Sequence, residues 1–313
     1  MNAAAPVEFE ARLAALWVYP IKSCAGVSVT QALLTPTGLA FDRAWMVVDA
    51  QGGMVTQRDL PRMALIQPEL TTHPLHSPLN PFELVLHASG MAALRLPVHP
   101  TTDPALPVMP MQVRVWDDVV PAFDMGPAVS AWLNAFLGDA LGPLRLVRFD
   151  ESHTRLSSAK WTQGVAAANQ FSDGFPVLVT SMASLDELNA RLHAKGEDPV
   201  DMRRFRANLV LGNPVQGDAL AAHDEDRVGC MTVVCDEGHT VQLQPVKPCP
   251  RCPIPNINPD SAQAHPSVSE TLQAYRQDTR VNGAITFGMN AVVMGGVGQI
   301  LRVGQRVFAE WAV

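Results

Sequence analysis

The 313-residue chain is poor in aromatic residues (6%), in charged residues (17%) and in cysteine, of which it has five. So few thiols in so long a chain, and an odd number of them, exclude a disulfide scaffold and leave free, metal-binding or catalytic cysteines. Positive charge is also in short supply. The 23 Lys and Arg against 30 Asp and Glu give a formal charge of −7, so a phosphate backbone or an anionic bilayer repels the protein as a whole. Neither nucleic acid nor membrane is expected as a partner, although a local cationic pocket is compatible with this balance. A secretory pattern is missing: the opening MNAAAPVEFEARLAAL carries Glu8 and Glu10 and no basic start before an apolar run, so a cytoplasmic protein is expected. No uninterrupted apolar span is present either. Residues 281–301 are uncharged but contain five Gly with Asn282, Thr286, Asn290 and Gln299, which predicts two glycine-punctuated buried strands. What the chain does have is 47% hydrophobic residues, 26 Pro and 21 Gly, the composition of a loop-rich globular protein. At roughly 150 residues per domain, its length suggests two domains or one large elaborated one.

Short β-branched or aromatic runs bounded by Gly, Pro or Asp predict strands at 16–20, 44–49 and 111–116. Gln51-Gly52-Gly53 predicts a hairpin turn between 45–49 and 54–56. Pro68, Pro74, Pro78 and Pro81 break up one connection, and Pro100, Pro104, Pro107 and Pro110 another, so the first half reads as all-β. Helical periodicity appears at Val129, Trp132, Leu133, Phe136 and Leu137, with Pro127 placed to start the helix and Gly138 to stop it. Ser184 with Glu187 reads as a capping box before the stripe Leu185, Leu188, Leu192, ended by Gly196. Ser267 and Glu270 repeat the pattern ahead of Val268, Leu272 and Tyr275, and a last strand is expected at 306–308. The fold class is a β-rich α+β chain of two parts joined between residues 120 and 150.

The sharpest local feature is Lys247-Pro248-Cys249-Pro250-Arg251-Cys252-Pro253, a Cys-x-x-Cys in a stiff proline-rich loop whose Lys247 and Arg251 favour a thiolate. Three readings stay open. Cys249 and Cys252 join Cys230 and Cys235 in a structural zinc site, although the run 229–236 alternates like a strand; or they form a thioredoxin-like dithiol, against which Pro253 and Pro255 speak; or one of them is a functional thiolate. Arg203-Arg204-Phe205-Arg206-Ala207-Asn208, entering the apolar run 209–211, is either a solvated turn with ordinary ion pairs or an anion clamp built on guanidinium forks. Lys22-Ser23, directly after a predicted strand, offers an ammonium and a hydroxyl to a phosphate or belongs to a surface loop. Arg43 is weaker, with a salt bridge to Asp42 as its ordinary explanation.

Taken in order, Tyr19-Pro-Ile-Lys-Ser-Cys, Gly38-Leu-Ala-Phe-Asp-Arg-Ala-Trp-Met, Met54-Val-Thr-Gln-Arg, Arg204-Phe-Arg-Ala-Asn-Leu-Val, Cys249-Pro-Arg-Cys and Asn258-Pro-Asp resemble the MOSC family. The chain resembles more narrowly the members that fuse a MOSC N-terminal β-barrel domain to a MOSC domain, the group of amidoxime-reducing components and bacterial reductases of N-hydroxylated compounds. Ser269-Glu-Thr-Leu-Gln-Ala-Tyr-Arg, Phe287-Gly-Met-Asn and Val303-Gly extend the likeness from residue 12 to 310. It implies a MOSC N-terminal β-barrel domain over 10–125 and a MOSC domain with a few peripheral helices over 145–313. It implies a molybdenum cofactor, a pyranopterin dithiolene, with Cys252 as the protein's sulfur ligand to the metal. By the same carry-over Lys22, Ser23, Arg43, Arg206 and Asn208 hold the pterin and its phosphate, while Asp173, Gly174 and Arg251 line the site; Cys249 packs beside the loop. The implied reaction is reduction of N–O bonds in small N-hydroxylated substrates, and a sulfur or cofactor carrier using Cys252 is the alternative. No Cys follows Cys252, so an appended iron–sulfur module is not expected and electrons come from a separate reductase, ferredoxin or cytochrome. Two positions depart from the pattern: Pro250 stands where a hydroxyl residue is common, and Ala262 where a Gly is common.

Overall fold

A computed structural model describes residues 8–71, 81–99 and 109–312. Pro74, Pro78, Pro100, Pro104 and Pro107 lie outside the described residues, as do the first seven positions. Pro68 and Pro110 do not break connections; they sit in the strands Gln67–Thr71 and Met109–Val115. At Pro68 and Pro110 the strand has a partner strand on one side only, which is where a residue without an N–H is tolerated.

The largest sheet closes on itself. Seven strands run around it in the order Val177–Ser181, Leu209–Gly212, Glu8–Val18, Arg306–Trp311, Val228–Val234, Thr240–Pro250 and Ala284–Gly295, and the last pairs back with the first. All these pairings are antiparallel except that between Val177–Ser181 and Leu209–Gly212. Alternate residues point inward, so Leu13, Val179, Leu209, Leu211, Met231, Val233, Val241, Leu243, Ala291 and Val307 fill a dry interior with no exposed surface. Closure leaves these strands without a free edge, so the remaining elements are placed around the ends and the outside of the barrel.

A second body of structure has a four-stranded sheet, Trp45–Val48, Arg145–Phe149, Asp118–Asp124 and Met109–Val115, and a three-stranded one, Gln67–Thr71, Glu83–His87 and Leu94–Pro97. The helix Pro127–Leu137 lays Val129, Trp132, Leu133 and Phe136 onto a core with Trp45, Ile66, Leu84 and Leu144. It starts at Pro127 and stops at Gly138, whose φ of 87° is a backbone conformation open to glycine. The two expected segments are interleaved in space. The first strand lies between Leu209–Gly212 and Arg306–Trp311, Gln31–Thr35 pairs with Ile300–Arg302, and Arg145–Phe149 pairs with Trp45–Val48.

Local readings need three adjustments. The helix Met182–Ala194 is capped by Ser181, whose side chain accepts from the Ser184 N–H; the Ser184 hydroxyl donates instead to Glu225. Ser267 lies inside the helix Ser267–Gln273, which has no side-chain cap. The turn at Gln51-Gly52-Gly53 forms, but its second arm is a single bridge, Val48 to Met54, rather than a strand.

Candidate functional site

Several separate stretches of chain meet at one cavity of about 370 Å³. The segment after the first strand places Lys22 and Ser23, with the Lys22 N–H bonded to Trp45 O at 2.8 Å, and the turn just before Trp45–Val48 brings Arg43. The segment before Val177–Ser181 supplies Ser172, Asp173 and Gly174, and the turn before Leu209–Gly212 supplies Arg206 and Asn208. The thiols arrive at the end of the long strand Thr240–Pro250. Thr240–Pro250 loses register against Ala284–Gly295 at three places, two of them within Pro245–Lys247 and Pro248–Pro250, because prolines cannot donate to the ladder. The strand stays paired as far as Pro250, and at its end Cys249, Arg251 and Cys252 line the cavity. All nine residues singled out from the sequence, Lys22, Ser23, Arg43, Asp173, Gly174, Arg206, Asn208, Arg251 and Cys252, line it.

The cavity's charge opposes that of the whole molecule. Lys22, Arg43, Arg58, Arg206 and Arg251 face a single carboxylate, Asp173. Lys22 Nζ donates to Phe171 O at 2.8 Å and pairs with Asp173; burial pushes its pKa down, and Asp173 restores part of the shift. Arg43 pairs with Asp42 and donates to Arg206 O at 2.8 Å, while Arg206 donates to Cys24 O at 2.5 Å. Their guanidinium carbons lie 4.5 Å and 4.3 Å from the Tyr19 ring centroid, a stack that neutralises neither charge. Gly26 makes room for that ring, since a Cβ there would sit 2.4 Å from Tyr19 Cε1. Burial, and then Arg43, lower the Arg206 pKa to about 10. Arg206 Nη2 and Arg251 Nε are buried without partners, an arrangement that costs free energy until an anion supplies acceptors.

The backbone is strained at the same place. Ser23, Arg43, Trp116 and Arg206 all have positive φ, at 66°, 50°, 55° and 59°, and all four line the cavity. Non-glycine residues adopt this region at a cost of about 1–3 kcal/mol each, and such outliers concentrate where ligands are held.

Two family models match the chain, the MOSC N-terminal beta barrel domain over residues 10–140 and the MOSC domain over 166–308. The mouse mitochondrial amidoxime-reducing component 1 is 34% identical over 276 residues, covering 84% of this chain and 71% of the mouse protein. The human protein of the same name is 33% identical over 85% of the chain and 72% of its own length. This chain belongs to the MOSC family. Human molybdenum cofactor sulfurase is also similar, 28% identical over 88% of the chain, but only 29% of that longer protein is matched.

Within this MOSC protein several expectations change. Asn208 faces the cavity, yet its side chain is committed to the barrel: Oδ1 accepts from Leu178 N at 3.1 Å and Nδ2 donates to Trp17 O at 3.2 Å. Lys247 lies over the Trp161 and Phe175 rings, at 5.3 Å and 5.8 Å, and Arg251 is the cation that reaches sulfur, with Nη1 3.0 Å from Cys249 Sγ. Cys249 therefore contributes to the cavity wall rather than only packing beside it. The four-cysteine zinc reading fails, because Cys235 packs in the barrel core, and among the described residues no cluster of three or more His, Cys, Asp or Glu is placed to hold a metal ion. Arg203 is spent on Asp201 and Asp260, and Arg204 donates to Pro255 O, so the ordinary ion-pair reading holds for Arg203.

Sequence reasoning gave no role to Thr56, Arg58 or Trp116. Arg58 lies in the Met54-Val-Thr-Gln-Arg segment and stacks on Trp116 at 4.6 Å; Trp116 donates to Asp173 at 3.2 Å from the tip of the 109–124 hairpin. Nothing local in the sequence marks that tip, because its importance comes from a contact 57 residues away.

Proposed function

We propose that this protein is a molybdenum-cofactor-dependent oxidoreductase that reduces N-hydroxylated compounds with electrons from a separate reductase, ferredoxin or cytochrome. The observation that carries this reading is a single cavity combining the Cys252 thiol with five cations against one carboxylate. The similarity to amidoxime-reducing components supports the substrate class.

The residues present fit the cofactor. A pyranopterin dithiolene with its phosphate is anionic, and its metal takes soft sulfur ligands, a role for the Cys252 thiolate. Guanidinium forks match phosphate oxygens, and the unpartnered nitrogens of Arg206 and Arg251 are donors in waiting. Lys22, Ser23, Arg43 and Arg206 hold the pterin and its phosphate, Asp173, Gly174 and Arg251 complete the wall, and Asn208 fixes the strands behind it. When bound, the cofactor supplies two-electron chemistry by which N–OH, two electrons and two protons give N–H and water. The chain's part is orientation and protons. Lys22 keeps protons at Nζ inside the cavity, made more acidic by burial and steadied by Asp173, while Arg58 stacks on Trp116 in the cavity wall.

Elemental analysis of the protein from a host that makes molybdenum cofactor tests this reading, with Cys252→Ser beside the native chain. Near-stoichiometric molybdenum that is lost in a still-folded variant, with turnover of a benzamidoxime by the native protein and an artificial electron donor, is the expected result. Molybdenum without turnover, with cofactor or sulfane sulfur passed to an acceptor enzyme, identifies a carrier using Cys252 instead. Zinc in place of molybdenum points to a structural site and refutes the reductase; no metal in either protein also refutes the reductase, and sulfane sulfur on Cys252 then identifies a sulfur carrier.

A further inference from the structure

Arg155 stands outside the cavity, yet it is bonded to both elements that frame one of its walls. Its side chain is 6% exposed and reaches in two directions. Nε donates to Asp118 Oδ2 at 2.7 Å, two residues from Trp116 at the tip of the same hairpin. Nη1 donates to Asn169 Oδ1 at 2.5 Å, Gln170 O at 2.8 Å and Ser172 O at 2.7 Å, gathering the loop that leads into Asp173. On the cavity side the same two elements meet again: Trp116 Nε1 donates to Asp173, and Phe171 O and Asp173 are the two partners of Lys22 Nζ. Phe171 N also donates to Arg43 O at 3.1 Å, so the loop braces a second cavity cation through its backbone.

We propose that Arg155 is a positioning residue: its planar fork ties the Trp116 hairpin to the 169–173 loop from behind and thereby fixes the Trp116–Asp173–Lys22 cluster on the cavity wall. A guanidinium suits this task because one rigid plane presents several donors at fixed angles. The three oxygens it collects lie on a stretch with only the short pairing of Ala168–Asn169 against Arg155–Leu156, so local backbone ladders do not hold the loop. Trp116 sits at a positive φ, and the loop must keep Asp173 in place against an exposed setting, since the Asp173 side chain is 73% exposed while Lys22 is 6% exposed. Without the clamp, Lys22 keeps its charge but loses the two acceptors that let it remain buried.

The significance for the cavity rests on the proposed function, but the clamp itself is tested without cofactor or substrate. Arg155→Lys keeps a cation beside Asp118 and cannot reach three loop oxygens at once; Asp118→Asn keeps the loop bonds and weakens the hairpin tie. Acylation of Lys22 is followed by mass spectrometry, with exposed Lys160 as the reference, and amide hydrogen exchange is followed across the 169–174 loop and the barrel strands. Both variants are expected to raise Lys22 acylation and loop exchange about tenfold, the effect of losing one hydrogen bond to a charged group. Lys160 labelling and barrel exchange stay at native rates. Unchanged Lys22 acylation in both variants overturns the proposal, and so does a rise spread equally through the barrel, which identifies Arg155 as general support. In cofactor-loaded protein the same variants are expected to raise KM with kcat little changed; a failure confined to that measurement counts against the functional reading and leaves the clamp standing.

Discussion

Replacing Asn208 by Ala separates a barrel staple from a cofactor ligand. The residue occupies four hydrogen bonds at once: its N–H donates to Leu178 O and its C=O accepts from Trp17 N, both at 2.9 Å, while its side chain serves Leu178 N and Trp17 O. It therefore joins Val177–Ser181 to Glu8–Val18 just where Leu209–Gly212 begins between them, at a position 1% exposed. Truncation leaves the Leu178 N–H and the Trp17 C=O without partners beside a closed wall, each costing about 1–3 kcal/mol, so Asn208→Ala is expected to lose about 2–4 kcal/mol. Asn208→Asp keeps the acceptor toward Leu178 N but turns an oxygen toward Trp17 O and buries a charge, so it is expected to cost at least as much. Urea unfolding of the cofactor-free protein, followed by circular dichroism, measures both. A native midpoint in Asn208→Ala, combined with loss of cofactor, refutes the staple and returns Asn208 to direct ligation.

Ala262 has a φ of 59°, in the region where glycine is favoured, so Ala262→Gly is expected to stabilise the chain by about 1 kcal/mol in the same urea assay; a lower midpoint refutes the strain. His223 supplies a pH test. Burial, with Arg276 and Arg191 nearby, pushes its pKa down to about 4 from an ordinary 6.5, and neither ring nitrogen has a partner. The unfolded chain takes up the proton first as pH falls, so the histidine imposes no penalty above 6.5 and destabilises progressively from there toward about 4. His223→Asn, which tolerates the local φ of 66°, is expected to lessen that acid loss, read as a stability difference between variant and native protein that widens from pH 6.5 to 4. A difference that stays constant with pH refutes the assignment.

Much of the architecture is legible in the sequence because it follows local rules. The helix at 127–137 is delimited by Pro127 and Gly138, and the uncharged run 281–301 resolves into Ala284–Gly295 and Ile300–Arg302. The cap of Met182–Ala194 lies three residues earlier than the local Ser184–Glu187 pattern indicates, at Ser181, and the Ser184 hydroxyl goes instead to buried Glu225, 41 residues beyond it. The cavity is legible from the motifs in sequence order, since Lys22, Arg43, Arg206 and Cys252 carry chemical types that pair with anions or metals. Asn208 shows the limit. An amide next to arginines looks like part of a clamp, and only the register of two distant strands shows that its hydrogen bonds are already used. Trp116, Arg58 and Arg155 are hidden for the same reason, because their partners lie on other elements.

The distribution of irregularity in the molecule follows from what each part must do. The barrel interior obeys its pattern almost everywhere, with alternating apolar residues and no free edge in the closed wall. Several kinds of departure coincide at the cavity: register shifts in the strand that brings the thiols, four of the ten described non-glycine residues at positive φ, two guanidinium nitrogens without partners and five cations in a protein of net charge −7. Each departure costs stability when taken alone, and a chain free to minimise its own energy would place an acid beside Arg206 or a glycine at Arg43. Their coincidence with a cluster of cations is the pattern expected when the missing acceptors belong to a bound anion and the strained backbone aims side chains at it. The barrel supplies the rigidity that holds those residues in unfavourable positions before the ligand arrives, so less of the binding free energy is spent on ordering the site.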